Sequence, residues 1–304
     1  MKCPLCESTK VAKKPCRFKD MMYCEACGFI FAGGATDSSA AELYEENWSQ
    51  TEVHPTFIYS EGRYTVRNEW KLQALLKRLE PFRQKNRLLD VGCSAAFFLK
   101  LARDRKWDVQ GVEVSDFGVK FTRDELKIPV FQGFLQDAHF LDASFDAVFS
   151  SHVIEHVGDP VNLLKEMKRI LRPGGALITV LPTQFSAPSY RFFGKWTGEG
   201  PPRHVSYFTK HLFENSLKNL GFSIRYSRQN VELQKILTVL RQRNGADAGK
   251  DYVESPASTQ ESNRPLVRAV KTTVNIVATG FGVGDELMTI AVKTPAPNPL
   301  KERP

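Results

Sequence analysis

The segment LLDVGCSAAF, Leu88 to Phe97, constrains this chain more than any other. Leu88 to Val91 reads as a buried strand, Gly92 permits a tight turn, and the small Ser94 and Ala96 let a helix begin close to a ligand. Twenty-one residues after Gly92 comes Glu113, within GVEV. At the tip of a second strand its carboxylate could accept both hydroxyls of a ribose. Strand, glycine turn, helix and distal acid together describe a nucleotide site at the edge of a doubly wound sheet.

Further segments follow in a telling order. FDAVFSSHVIEH, Phe145 to His156, reads as a fourth strand with its loop, LRPGG (Leu171 to Gly175) as the turn into a fifth strand, and ALITVLP (Ala176 to Pro182) as that strand. In this order the segments resemble the motifs of the class I S-adenosylmethionine (SAM) dependent methyltransferases. The resemblance covers roughly residues 66 to 230 plus a last strand. It implies an α/β fold, a doubly wound, seven-stranded, mostly parallel sheet, with SAM as cofactor. Asp90, Gly92, Cys93 and Ser94 would meet the methionine end, Glu113 the ribose, Phe134 and Leu135 the adenine, and Ser151 the end of the fourth strand. Asp137 reads either as a partner of the adenine amine or as a solvated loop acid. One departure stands out: the family usually writes the first turn with three glycines, and Ser94 and Ala96 replace two of them.

Four of the six cysteines form two CxxC knuckles, Cys3 with Cys6 and Cys24 with Cys27. Such knuckles set two thiolates on one side of a tetrahedral ion, so the spacing predicts a structural zinc ribbon with no open position. Cys16 and Cys93 carry no assigned role. Residues 1–34 hold six basic and three acidic side chains. A zinc ion bound by four thiolates is a net dianion and offsets most of that surplus. The segment also has no basic run interleaved with aromatics of the kind that grips single strands. A substrate-side or interface role for the ribbon is therefore favoured over nucleic acid.

The remaining chain divides by pattern. Residues 35–65, with AELYEENW and FIYSEGRY, match no simple period and read as a cover over the cofactor and acceptor site. A helix is expected from about Val66 to Glu80, its core side Leu72, Leu75, Leu76 and Leu79 and its end at Pro81. Ser115, Asp159 and Thr209 are expected N-caps, and Pro129 to Phe131 a short third strand. The cofactor core is taken as 66–232. Residues 233–284 form an insertion, expected as two helical segments joined by a loop, with a lid or dimer interface as the sharper reading. DELMTIAVK, from Asp285, opens the last strand and tail, 285–304.

Chemistry is expected at the carboxyl end of the fourth strand, where ligands of such sheets bind. His152, Glu155 and His156 share a face if that loop takes one helical turn, and His204, in PPRHVSYFT, could fold back onto His156. An imidazole can take the proton of a hydroxyl acceptor at neutral pH. The alternative is a second divalent metal on His152, Glu155, His156 and His204. A similar ExxEH element with a later histidine binds metal in some ubiquinone-biosynthesis and small-RNA methyltransferases, but here the first acid is His152. A third reading has Glu155 and His156 merely bonding the loop together. The segment PTQFSAPSYRFFGKWTGEGPPRH, rich in aromatics and carrying Arg191, Lys195 and Arg203, reads as an acceptor lid.

The function so implied is methyl transfer from SAM to a small molecule or sugar, at oxygen rather than carbon. The alternatives are an RNA base methyltransferase and a binding module whose SAM site has decayed. One ribosomal RNA family pairs a zinc knuckle with this fold, but typically with a histidine in its last ligand pair. The net charge of +8 permits a nucleic-acid partner without requiring one. A second copy of the chain is a further expected partner. The sequence contains no apolar stretch of about 18 residues and opens without the apolar core of a signal peptide, so a cytoplasmic protein with no membrane span is expected.

Overall fold

The computed structural model describes residues 1–35 except 15 and 17, the backbone of 57–60 and 63–66, residues 69–194, 200–232 and 280–295, and the isolated residues 236 and 273. Its centre is a seven-stranded sheet in the spatial order β12-β13-β10-β9-β6-β7-β8. The strands are β6 (Arg87–Val91), β7 (Asp108–Glu113), β8 (Val130–Gln132), β9 (Phe145–Ser151), β10 (Leu171–Pro182), β12 (Phe222–Asn230) and β13 (Glu286–Lys293). The pairs β6–β7, β7–β8, β6–β9 and β9–β10 are parallel, while β13 is antiparallel to both β10 and β12. This is the expected doubly wound, Rossmann-like sheet.

Both faces are covered because the strand side chains alternate. Leu89, Val148 and Leu177 point into one buried cluster, completed by α4 (Pro160–Ile170) and α6 (Lys210–Asn219). Their neighbours Leu88, Ala147, Phe149, Ala176 and Ile178 point into the other, with α1 (Glu69–Leu79), α2 (Phe97–Asp104) and α3 (Asp116–Asp124). The helices begin where the caps predict. Ser115 accepts from the Gly118 amide, Asp159 from Asn162 and Thr209 from Leu212.

Several boundaries differ from the sequence reading, each for a physical reason. The helix expected from Val66 starts at Glu69, because Val66 pairs with Phe57 in an antiparallel hairpin, β4 (Phe57–Ser60) with β5 (Arg63–Val66). The third strand begins at Val130, since Pro129 offers only a carbonyl, which accepts from Gly111. LRPGG forms no separate turn: β10 runs from Leu171 with a register shift between Leu171 and Ala176. Within it Arg172 is buried on Asp146. Most of the 233–284 insertion and most of the 35–65 cover segment lie outside the described residues.

The N-terminal strands β1 (Val11–Lys13), β2 (Met21–Cys24) and β3 (Ile30–Ala32) form an antiparallel ribbon. It does not stand apart. A two-residue strand, β11 (Ser206–Tyr207), joins it as a fourth strand beside β3, and Cys3, Cys24, Phe29 and Phe31 belong to the same buried cluster as Phe208 and Phe213. At the other end of the chain, β12 and β13 close as a hairpin at the pair Asn230–Glu286. Asp285 donates its amide to the Asn230 carbonyl and accepts the Glu232 amide on its carboxylate. No helix of the described residues is long and apolar enough to cross a membrane.

Candidate active site

A cleft enclosing about 770 Å³, open solvent included, lies at the carboxyl edge of the sheet. Its walls come from the end of β6 (Val91, Gly92, Ser94), the end of β7 (Val112 to Val114), the turn Gly133 to Gln136 and the loop after β9 (His152, Val153, His156, Val157). The mostly apolar lining suits a flat ring, and Glu113 supplies a buried carboxylate.

The glycine turn is locked to β7: the amides of Gly92 and Cys93 both donate to the Val112 carbonyl. Gly92 is left-handed at φ +73, and a Cβ there would lie 2.3 Å from Val153 Cγ2. Ser94 and Ala96, at φ +52 and +49, adopt the left-handed backbone that glycine favours, although neither is glycine. Each costs about 1–2 kcal/mol of strain. The turn therefore keeps its geometry without those glycines and carries the cost.

Glu113 holds this turn. Its Oε2 accepts the Ser94 amide at 2.7 Å, and its Oε1 accepts those of Val114 and Ser115 at 3.0 and 2.9 Å. Three of about four carboxylate lone pairs are thus in use. Burial raises the Glu113 pKa against the pull of the three amides and the Ser115 hydroxyl. Asp90, also buried, is raised well above the ordinary range by burial and then by the charge of Glu113. Among the expected cofactor contacts, Gly92, Ser94, Glu113, Phe134 and Leu135 line the cleft, while Asp90, Cys93 and Ser151 do not. Cys93 is buried, and its Sγ is 2.6 Å from where a Gly111 Cβ would sit.

The loop after β9 makes one 3-10 turn, Ile154–His156, and divides the expected residues into two groups. His152, left-handed at φ +55, turns its Nδ1 to Glu155 Oε1 at 3.1 Å and its Nε2 to Glu286 Oε2 at 3.5 Å. The ring is half exposed, and the two carboxylates hold its pKa well above the usual histidine value. Burial opposes ionisation of Glu155 and Glu286, yet His152 draws both down to about 2. The second group is Glu155, His156 and His204, whose ligand atoms all lie within 4.8 Å of one another. The two imidazoles meet edge-on with centroids 4.8 Å apart. His156 Nδ1 lies 2.9 Å from the Arg203 carbonyl, so this nitrogen carries the proton and Nε2 is the basic one. Glu155 Oε2 is buried with no hydrogen-bond partner.

The structure brings Glu155, His156 and His204 together, but the four-residue metal set is not assembled, because His152 turns its Nε2 to Glu286. Glu286 itself was missed. Only the register of β13, which sets Glu286 opposite Pro182 and Asn230, brings it to the site. In the ribbon, Cys3 Sγ is 3.7 Å from Cys27 Sγ and Cys6 Sγ 3.6 Å from Cys24 Sγ, and all four lie within 4.8 Å. Tetrahedral thiolates about 2.3 Å from an ion would be spaced in this way. Each knuckle turns on a left-handed residue, Glu7 at φ 59 and Gly28 at φ 80.

A seven-stranded sheet with one antiparallel strand, and a cleft built from its glycine turn and distal acid, define the Rossmann-like methyltransferase class. The chain belongs to the methyltransferase domain family, which matches residues 64–227. Among curated relatives, a tRNA U34 carboxymethyltransferase of Pseudoalteromonas translucida is 30% identical over 126 residues, 37% of this chain and 36% of that protein. A dimethylglycine N-methyltransferase of Parasynechococcus marenigrum is 27% identical over 168 residues, 49% of this chain and 60% of that protein. The match thus spans about a third of the length of the first of these relatives and under two thirds of the second. In fold, the crystal structure of the (4+2)-cyclase SpnF is similar at a TM-score of 0.56 and 18% identity, covering 88% of this chain and 99% of that one.

Proposed function

We propose that the protein transfers the methyl group of SAM to a small-molecule or sugar acceptor, at oxygen in preference to carbon, with His156 as the proton acceptor. The observation that carries this reading is that His156 lines the same cleft as Glu113. Bound SAM supplies a methyl group already activated for displacement. The turn Gly92–Ser94 would hold its methionine end, Glu113 a ribose hydroxyl, and Phe134 and Leu135 the adenine. What remains for the chain is to align the acceptor and remove one proton. His156 suits that task, because the Arg203 carbonyl orients its ring and the charge gained would face Glu155. His152, kept cationic between Glu155 and Glu286, serves as a positioning group rather than a base. Cys3, Cys6, Cys24 and Cys27 would hold a structural zinc.

Calorimetric titration with SAM tests the reading. Wild-type binding that weakens tenfold or more in Glu113→Ala supports it; unchanged binding in that variant overturns the ribose assignment. A wild-type protein that binds no SAM would instead be a binding module. A second reading is favoured by the unpaired Glu155 Oε2: a divalent ion on Glu155, His156 and His204 orienting the acceptor oxygen. Two imidazoles and a carboxylate suit zinc, iron or manganese better than magnesium. Elemental analysis separates the two, since a second metal lost in His204→Ala would support the ion. An RNA acceptor draws on the +8 charge and on the name of the tRNA-modifying relative. It predicts an affinity for RNA that falls steeply with salt.

A further inference from the structure

The cysteine ribbon and the loop carrying His156 grip opposite edges of one short segment, Arg203–Tyr207. On the ribbon side, Ala32 donates its amide to the Val205 carbonyl at 2.8 Å, and Ser206 and Tyr207 pair with Phe31 and Ile30. On the loop side, the Val205 amide donates to the Glu155 carbonyl at 2.8 Å, and Ser206 Oγ donates to the Val157 carbonyl at 2.9 Å. His156 Nδ1 adds its bond to the Arg203 carbonyl. Val205 thus spends its carbonyl on the ribbon and its amide on the residue beside His156. His204, next in the chain, accepts the Tyr207 hydroxyl on its carbonyl at 2.7 Å.

Packing makes the same connection. Phe29 stacks near Phe31 and meets Phe208 with centroids 4.9 Å apart, while Phe208 meets Phe213 of α6 at 5.2 Å. Cys3, Cys24 and Ile154 belong to one buried cluster. Strands of three or four residues cannot hold a ribbon by themselves. A four-thiolate metal closes such units.

We propose that the metal-filled cysteine cluster is a positioning element of the active site, fixing Arg203–Tyr207 and through it the imidazoles of His156 and His204. The cofactor floor on β6 and β7 is held separately, by the bonds from Gly92 and Cys93 to Val112 and from Ser94 to Glu113. Metal loss therefore disorders the acceptor half of the site while SAM still binds. The inference rests on the reading that the four cysteines bind zinc.

The test uses full-length protein labelled in its histidine rings, with the His156 and His204 signals assigned through His156→Gln and His204→Gln. Zinc is removed by chelator and then restored, with zinc content, ring spectra, amide exchange and SAM affinity followed together. The expected result is that both ring signals shift or broaden and exchange at Val205 and Ala32 accelerates at least tenfold. The SAM dissociation constant stays within twofold, and zinc restores the spectra. Ser206→Ala, which spares the ribbon, is expected to shift the His156 signal at unchanged zinc content. Ring signals indifferent to zinc removal and to Ser206→Ala would overturn the proposal. So would loss of SAM binding and of the whole fold together with zinc, since the ribbon would then be a general folding element. Protein isolated with its thiols intact yet free of zinc would overturn the zinc reading, and the proposal with it.

Discussion

Gly92, Ser94 and Glu113 show how much one turn depends on single side chains. A methyl group at Gly92 would meet Val153 at 2.3 Å from a left-handed backbone. Gly92→Ala is therefore expected to cost about 2–3 kcal/mol of stability and to weaken SAM binding at least tenfold, read by denaturant melts and calorimetry. Ser94→Gly relieves strain at the same turn, and that gain offsets the chain entropy glycine loses on folding. It is expected to leave stability unchanged or raise it by about 0.5 kcal/mol. Ala95→Gly, buried and without a positive φ, is expected to lose about 1 kcal/mol or more. The pattern of apolar residues and the glycine made this turn legible; the strain at Ser94 did not follow from composition, because serine gives no signal of φ. A further expectation concerns the charged trio. Glu155 and Glu286, drawn down to about 2 by His152, stay ionised when folded between about pH 4.3 and 2, where the unfolded residues take up protons. Their contribution is complete above about pH 4.3 and fades as pH falls toward 2. Glu286→Gln is expected to lose less stability than wild type between pH 6 and 3, and to bring the His152 pKa down toward the ordinary value in an NMR titration.

Between elements, the sharpest tie is Asp146 with Arg172. The Asp146 carboxylate takes Arg172 Nε on Oδ1 and the amides of Gln84, Lys85 and Arg87 on Oδ2, and Arg172 also donates to the Phe82 carbonyl. One ion pair thus pins the entry to β6 against the start of β10. Burial opposes charge on Asp146, but Arg172 and the amides hold its pKa low. Asp146→Ala leaves a buried guanidinium uncompensated and is expected to cost about 3–5 kcal/mol in urea unfolding. Helix caps and sheet strands were readable because Ser115, Asp159, Thr209 and the alternating apolar runs act locally. LRPGG was misread as a turn because its glycines and proline outweigh, in sequence, the pairing of Leu171 with Phe145 and the burial of Arg172 on Asp146. The hairpin β4–β5 escaped notice for the same kind of reason: FIYSEGRY alternates over too few residues to display a period.

At the scale of the molecule, the sheet order followed from the motif order, but the junction of ribbon and core did not. Ser206–Tyr207 is two residues long, so no periodicity marks it as a strand, and only β3 defines it as one. Separation of 1–34 from the core by sequence pattern therefore coexists with a shared sheet and a shared buried cluster. A chain lacking residues 1–34 would expose Phe208 and Tyr207, both nearly inaccessible in the intact protein. It is expected to bind a hydrophobic dye and to associate, which light scattering would detect; a monomeric, dye-free truncation would count against the joint core.

The hairpin closed at Asn230 and Glu286 gives the molecule a graft point. Because the strands are already in register at that pair and Asp285 clamps Glu232 across it, the sheet places no demand on the length of chain between them. Segments of very different size can be exchanged there without re-registering a single strand. They emerge at the ligand-binding edge, one residue from the carboxylate that charges His152. Under the proposed function, an exchange at this point alters the acceptor side and leaves the turn from Gly92 to Glu113 as it is.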